Sequence, residues 1–291
     1  MNAIETCALT KSYGKSRGIV QLSLAVEQGD FFGFVGPNGA GKSTTIRSLL
    51  GLITPTSGSA RVLGLDPTTQ RRELLARVGY LAAEANFYDG MTVAETLRLS
   101  ADLRGKDCSA EAKALCRRLD LDPSRKIRQL SLGNRKKVGI VCALQHRPDL
   151  YILDEPTGGL DPLMQREFFA LLRERSREGA TVFLSSHILS EVQRYCTHAA
   201  VIRDGRLLAC DRVEALGHTG TKRVTLRGVE TLPPLPAVRD VSAGPEGISF
   251  LYAGEPRALL QALAQLPVQD ISIAEPDLEE VFLHYYEKEE Q

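Results

Sequence analysis

The chain has 291 residues, 43% hydrophobic and 25% charged, a balance that buries a substantial core and excludes disorder as the default. Lys plus Arg and Asp plus Glu both number 36, so no net charge draws the molecule to nucleic acid or anionic lipid. No run approaches the roughly eighteen consecutive apolar residues of a membrane-spanning helix, and the first residues lack a charged-then-apolar leader, so the expectation is a chain that stays in the cytosol.

From Ala3 to about Cys210, short β-branched or apolar runs alternate with longer helical patterns, which predicts an α/β domain. The first strong signal is the strand FFGFV followed at once by Gly36-Pro37-Asn38-Gly39-Ala40-Gly41-Lys42-Ser43, which fits the P-loop pattern GxxxxGK[ST], and then by the helix candidate KSTTIRSLLG. Glycines let the backbone turn so that consecutive N–H groups face a phosphate, and the helix N-terminus adds a dipole that favours anions. The nucleotide-binding set is Gly36 through Ser43 together with Thr44. Within it, Lys42 is expected to reach the β- and γ-phosphates, and Ser43 to offer its hydroxyl to Mg²⁺.

Further along come a strand RVGYLA, a helix TVAETLRLSADLRG and a helix GNRKKVGIVCALQH. Next, the apolar strand LYIL runs into Asp154 and Glu155, two carboxylates at a strand end, where α/β sheets place ligands. Taken alone the pair reads as a solvated turn; beside a P-loop, Asp154 is expected to hold Mg²⁺ and Glu155 to polarise the attacking water. A helix LMQREFFALLRERSREG and a strand ATVFLSSH complete the series.

After Gly217 the texture changes to short strands separated by Pro and Gly, predicting an α/β domain over 1–215 and a small α+β domain over 216–291. The tail reads as strand KRVTLRG, two strands across AVRDVSAGPEGISFLYAG, helix PRALLQALAQL, strand VQDISIA and helix DLEEVFLHYYE. In that last helix Leu278, Val281, Phe282 and Tyr285 fall at helical spacing, suited to docking on a sheet. From Leu216 onward six basic residues face twelve acidic ones, so a mildly basic larger part carries an acidic tail. The six cysteines, Cys7, Cys108, Cys116, Cys142, Cys196 and Cys210, form no close pair and are expected to be reduced thiols that pack.

The run LSLGNRKK, from Leu130 to Lys137, resembles the signature of ATP-binding cassette (ABC) proteins, usually LSGGQ, and follows Lys42 by about ninety residues, as in that family. Other pieces match in order: Tyr13 resembles the aromatic that stacks on adenine, Gly159-Leu160-Asp161 the D-loop, and Ser186-His187 the switch histidine. Singly, Tyr13 is a surface or core aromatic, His187 a residue at a helix start and Ser131 a helix cap. As an ordered set they cover about the first 215 residues. The resemblance implies a P-loop NTPase fold with a mixed-sheet core and a helical subdomain, an ATPase with ATP and Mg²⁺ as cofactors, and two domains facing head to tail. Ser131 and Gly133 of one copy would then meet the γ-phosphate on the other's P-loop, with Asp161 and His187 nearby and Lys42, Glu155 and His187 doing the chemistry.

Two positions depart from the family pattern. An ungapped alignment puts Ala83 where a Gln is usual; either the adjacent Glu84 approaches the metal or the loop serves only for docking. Leu132 and Asn134 stand where Gly and Gln are usual, which touches turnover more than binding.

The resemblance also implies a separate membrane permease, at the cytoplasmic face of the membrane, docked at the Ala83 to Glu95 loop and the helices around it; Phe87, Tyr88 and Met91 there either meet the permease or only fill the core. The C-terminal domain resembles that of drug, antibiotic and peptide exporters. A homodimer is the simpler arrangement, and no nucleic acid partner is expected. A nucleotide-binding regulatory subunit with weak hydrolysis and a soluble ABC ATPase stay open as alternatives.

Overall fold

The long strands β1 (Asn2–Tyr13) and β2 (Ser16–Glu27) pair antiparallel, and their register shifts around Ala8, whose φ is 47°. This is a computed structural model, and it describes residues 1–14, 16–84, 86–217, 221–229, 231–232, 235–244 and 247–274. The chain divides into two units, Met1–Asp211 and Arg212–Gln291.

In the first unit the chain continues through β3 (Phe31–Val35), α1 (Lys42–Leu49), β4 (Ser57–Val62), α2 (Arg71–Arg77) and β5 (Val78–Leu81). It then enters a helical stretch, α3 (Val93–Asp102), α4 (Ser109–Arg118), a 3₁₀ turn over Ile127–Gln129 and α5 (Leu132–Leu144). Last come β6 (Leu150–Asp154), α6 (Pro162–Arg177), β7 (Thr181–Ser186), α7 (Leu189–Tyr195), β8 (His198–Arg203) and β9 (Arg206–Arg212). Strands β2-β1-β4 make an antiparallel sheet, and β5-β6-β7-β3-β8-β9 make a six-stranded one whose β5–β6, β6–β7, β7–β3 and β3–β8 pairs are parallel.

The near-continuous apolar composition of β3, β6 and β7 follows from this placement, because a parallel strand covered on both faces has no side for polar residues. Every residue of the three is buried. Phe183 of β7 stacks on Phe32 and tilts against Phe34, with centroids 5.8 and 5.3 Å away, locking β3 against β7 directly beneath the glycine loop. Thr92 caps α3 in a reciprocal capping box with Glu95, which explains why the helical pattern starts where TVAE stands.

His146, just after α5, is 4% exposed, and its Nε2 lies 3.2 Å from the Val78 carbonyl. Burial, and then the nearby Arg104 charge, push its pKa down to about 4. The unfolded chain takes up this proton near the ordinary histidine value of about 6.5 and the folded chain only near 4, so the contributed stability is complete above that ordinary value and drains away as pH falls toward 4. Between about pH 7.5 and 5 the wild type should lose about 2 kcal/mol more unfolding free energy than His146→Phe, read from urea unfolding at both pH values. Equal losses would refute the buried neutral imidazole.

The second unit comprises α8 (Val213–Gly217), β10 (Lys222–Arg227), β11 (Val238–Gly244), β12 (Gly247–Tyr252), α9 (Pro256–Leu263) and β13 (Asp270–Ala274). Its strands form one antiparallel sheet in the order β11-β12-β10-β13. Leu259 and Leu263 of α9 pack with Val224, Leu226 and Phe250 of that sheet. The helix expected over DLEEVFLHYYE, with Leu278, Val281, Phe282 and Tyr285, lies outside the described residues. All six cysteines are free thiols, and Cys108 and Cys116 are buried. The packing role expected of every cysteine fails at Cys7 and Cys210, which are exposed.

Candidate functional site

Because β3, β7 and β6 run parallel, the loops leaving them open on one edge of the sheet, where α/β proteins bind ligands. After Val35 the chain turns through the glycine loop into α1. Gly41 caps that helix with φ 108° and no side-chain cap, and a Cβ there would stand 2.9 Å from Ile19 Cγ2. Only glycine takes that conformation without strain. The amides of Lys42, Ser43 and Thr44 in the first turn have no intrahelical acceptor, an arrangement suited to an anion.

Lys42 is 5% exposed and its ammonium lies along the loop. It donates to the carbonyls of Gly36 at 2.7 Å and Pro37 at 3.1 Å and sits 3.3 Å from Glu155 Oε1. Glu155 Oε2 in turn lies 3.3 Å from His187 Nδ1. The structure thus joins the glycine loop, the end of β6 and the end of β7 through one carboxylate. Glu155 adopts φ 45°, a left-handed conformation that costs a residue with a Cβ about 1–2 kcal/mol.

Asp154 is 3% exposed and accepts a 2.7 Å hydrogen bond from Ser185 Oγ on β7. Burial, and then the Asp154 charge, push the Tyr80 hydroxyl pKa upward, a sign of the negative potential at this strand end. Ser185 is a partner that sequence reading missed: nothing marks it within VFLSSH except its place one strand over from Asp154. A hydroxyl at Ser43 and a carboxylate at Asp154 are hard oxygen donors. Among the described residues no group of three or more His, Cys, Asp or Glu side chains forms a metal cage. That donor set fits Mg²⁺, which takes one or two protein oxygens and the rest from water and phosphate.

Ser131 is the N-cap of α5, its hydroxyl accepting from the Asn134 amide at 3.3 Å. A Cβ on Gly133 would come within 2.8 Å of the Gly159 carbonyl, so signature and D-loop pack in one copy too closely for a side chain. Asp161 caps α6, accepting at 3.0 Å from both Leu163 and Met164 amides. Tyr13, at the end of β1, is 44% exposed with the Lys11 ammonium 5.3 Å from its ring centroid. Asn38 and Gly39 are exposed at the loop crest, and Ala40 is buried behind it. Of the expected docking residues, Phe87 packs against the core, Met91 is half-buried and Tyr88 is 72% exposed.

The family model for ABC transporters matches residues 19–158. The bacitracin transport ATP-binding protein BcrA of Bacillus licheniformis is 41% identical over 70% of this chain and 68% of its own length. The chain belongs to the ABC transporter family. A second relative of this ABC protein, the Nod factor export ATP-binding protein I of Cupriavidus metallidurans, is 36% identical over 87% of each chain. A solved ATP binding subunit of an ABC transporter superposes with a TM-score of 0.69 at 31% identity, covering 74% of this chain and 91% of that one. The fold is that of an ABC ATPase cassette, α/β with a P-loop, and ATP is its nucleotide.

Proposed function

We propose that this ABC subunit binds ATP with Mg²⁺ and hydrolyses it to drive export through a separate membrane permease. The observation that carries the reading is the Lys42–Glu155–His187 connection at the mouth of the glycine loop. In this reading the loop amides from Gly36 to Thr44 cradle the phosphates and Lys42 neutralises them. Glu155 orients and deprotonates the attacking water, and His187 holds the Glu155 carboxylate and the γ-phosphate in register. Mg²⁺ held by Ser43 and Asp154 would screen the phosphate charge. Tyr13 stacks on the base.

Two copies then face one another, with Ser131 and Gly133 of each presenting a hydroxyl and a helix tip to the other's nucleotide and Asp161 lying at the seam. Support comes from exposed apolar side chains: Leu132, beside Gly159, is 76% exposed, and Leu163, in the first turn of α6 after the Asp161 cap, is 67% exposed. Among the described residues no helix is long and apolar enough to cross a membrane. The two relatives carry transport and export in their names, which supports a reading in which this subunit works at the cytoplasmic face of a membrane through a permease.

Tyr88 and Glu84 are exposed beside the Ala83 loop and are the proposed docking contacts. Tyr88→Ala or Glu84→Lys should reduce recovery of the co-expressed permease at least about 5-fold while leaving ATP binding unchanged, since each removes interface contacts only. Recovery equal to wild type counts against this groove. Steady-state ATPase activity of the complex in lipid separates a motor subunit from a regulatory one, for which hydrolysis would stay at background.

A further inference from the structure

Three basic residues in a row, Arg135, Lys136 and Lys137, follow the Ser131 cap on α5. Arg135 is on the surface, its side chain 38% exposed and 3.8 Å from Asp89, but Lys136 is only 5% exposed. Its ammonium donates to three backbone carbonyls, Ala83 at 2.9 Å, Glu155 at 3.1 Å and Ala82 at 3.3 Å. An ammonium has three N–H donors, so this one is fully used. Burial lowers its pKa, while the charges of Asp154 and Glu155 act the other way. A buried cation is expensive to maintain, and this one is spent on holding two loops together.

The Glu155 end matters most. A residue with φ 45° keeps that conformation only where its surroundings over-determine it. Its amide donates to Ser185 O at 3.1 Å and its carbonyl accepts from Lys136. The side chain that meets Lys42 and His187 therefore leaves a backbone clamped on both sides. The other two carbonyls belong to the loop after β5, where Ala83 has a methyl group and no side-chain donor of its own.

We propose that Lys136 is a positioning residue for ATP hydrolysis: through the carbonyl of Glu155 it fixes where the Glu155 carboxylate stands. By the same ammonium it ties that carboxylate to the Ala83 loop and to the helix whose tip is Ser131. Movement of the loop or of the helix tip then reaches the base directly. The proposal rests on the reading of Glu155 as the base.

Lys136→Met keeps the unbranched stem as far as Cε and removes the donors. Its kcat for ATP hydrolysis should fall about 10- to 100-fold, the loss expected for a misplaced base, with KM for ATP within about 3-fold. Lys136→Arg should recover part of the loss. In a Glu155→Gln background, with hydrolysis followed in single turnovers, Lys136→Met should cost less than about 3-fold more, because its action runs through Glu155.

A kcat for Lys136→Met within about 2-fold of wild type, beside an inactive Glu155→Gln, overturns the proposal alone. The full loss persisting in the Glu155→Gln background overturns it too, since a general folding defect would act there equally. If Glu155→Gln itself hydrolyses at the wild-type rate, the base assignment falls and the proposal with it. Should Lys136→Met fail to fold, Lys136→Leu, which likewise has no donor, takes the same measurements with the same thresholds.

Discussion

Glu155→Gln should lower steady-state hydrolysis by about 10²- to 10⁴-fold while leaving ATP affinity within a few-fold of wild type. The amide has the shape of the carboxylate, and its oxygen still accepts from Lys42, which now stands 3.3 Å from Oε1. The backbone restraints on Glu155, the Ser185 carbonyl and the Lys136 ammonium, do not involve the side chain and persist. What disappears is a negative charge able to take a proton from water. Removing that charge from beside the γ-phosphate also eases binding, so the variant should accumulate as a nucleotide-bound dimer visible by size exclusion. Phosphate release at the wild-type rate would remove Glu155 from the chemistry.

What the sequence made legible and what it hid divide along a physical line. The glycine loop and the carboxylates after LYIL were readable because each follows a short, wholly buried strand, and such strands are continuous apolar runs, whereas the histidine after VFLSS was readable only through the family resemblance. The strands β1 and β2 were harder, since positive φ at Ala8 and Gln21 shifts register and breaks the alternation that marks a strand. Lys136 was hidden for a different reason. A run of three basic residues looks solvated, yet helical phase puts Lys136 on the face of Ile140, Ala143 and Leu144, all buried. Only the periodicity, weighed above the charge, would have found it. The order β5-β6-β7-β3 is likewise not in the sequence, and it is this order that sets Ser185 and His187 between the glycine loop and Asp154.

Lys42→Ala should act on the opposite step. The ammonium donates to Gly36 O and Pro37 O inside the loop, and a triphosphate offers it stronger, charged acceptors in the same place. A hydrogen bond to a charged group contributes roughly 1.5–3 kcal/mol, so losing two lowers affinity by roughly 10²- to 10⁴-fold. The loss should be enlarged by Glu155, whose carboxylate keeps His187 but no longer has Lys42 between itself and the phosphates. Lys42→Met, which retains the apolar stem, separates the charge from the packing of a residue that is 5% exposed. Thermal unfolding with and without ATP reads the result, because a ligand stabilises by RT ln(1 + [L]/Kd). The wild type and Glu155→Gln should both shift upward with ATP, and both Lys42 variants should not. A full ATP shift in Lys42→Met would mean that the backbone cradle alone holds the nucleotide. Its charge would then have to be balanced by the amides of α1 and the metal, with Lys42 left to pair with Glu155.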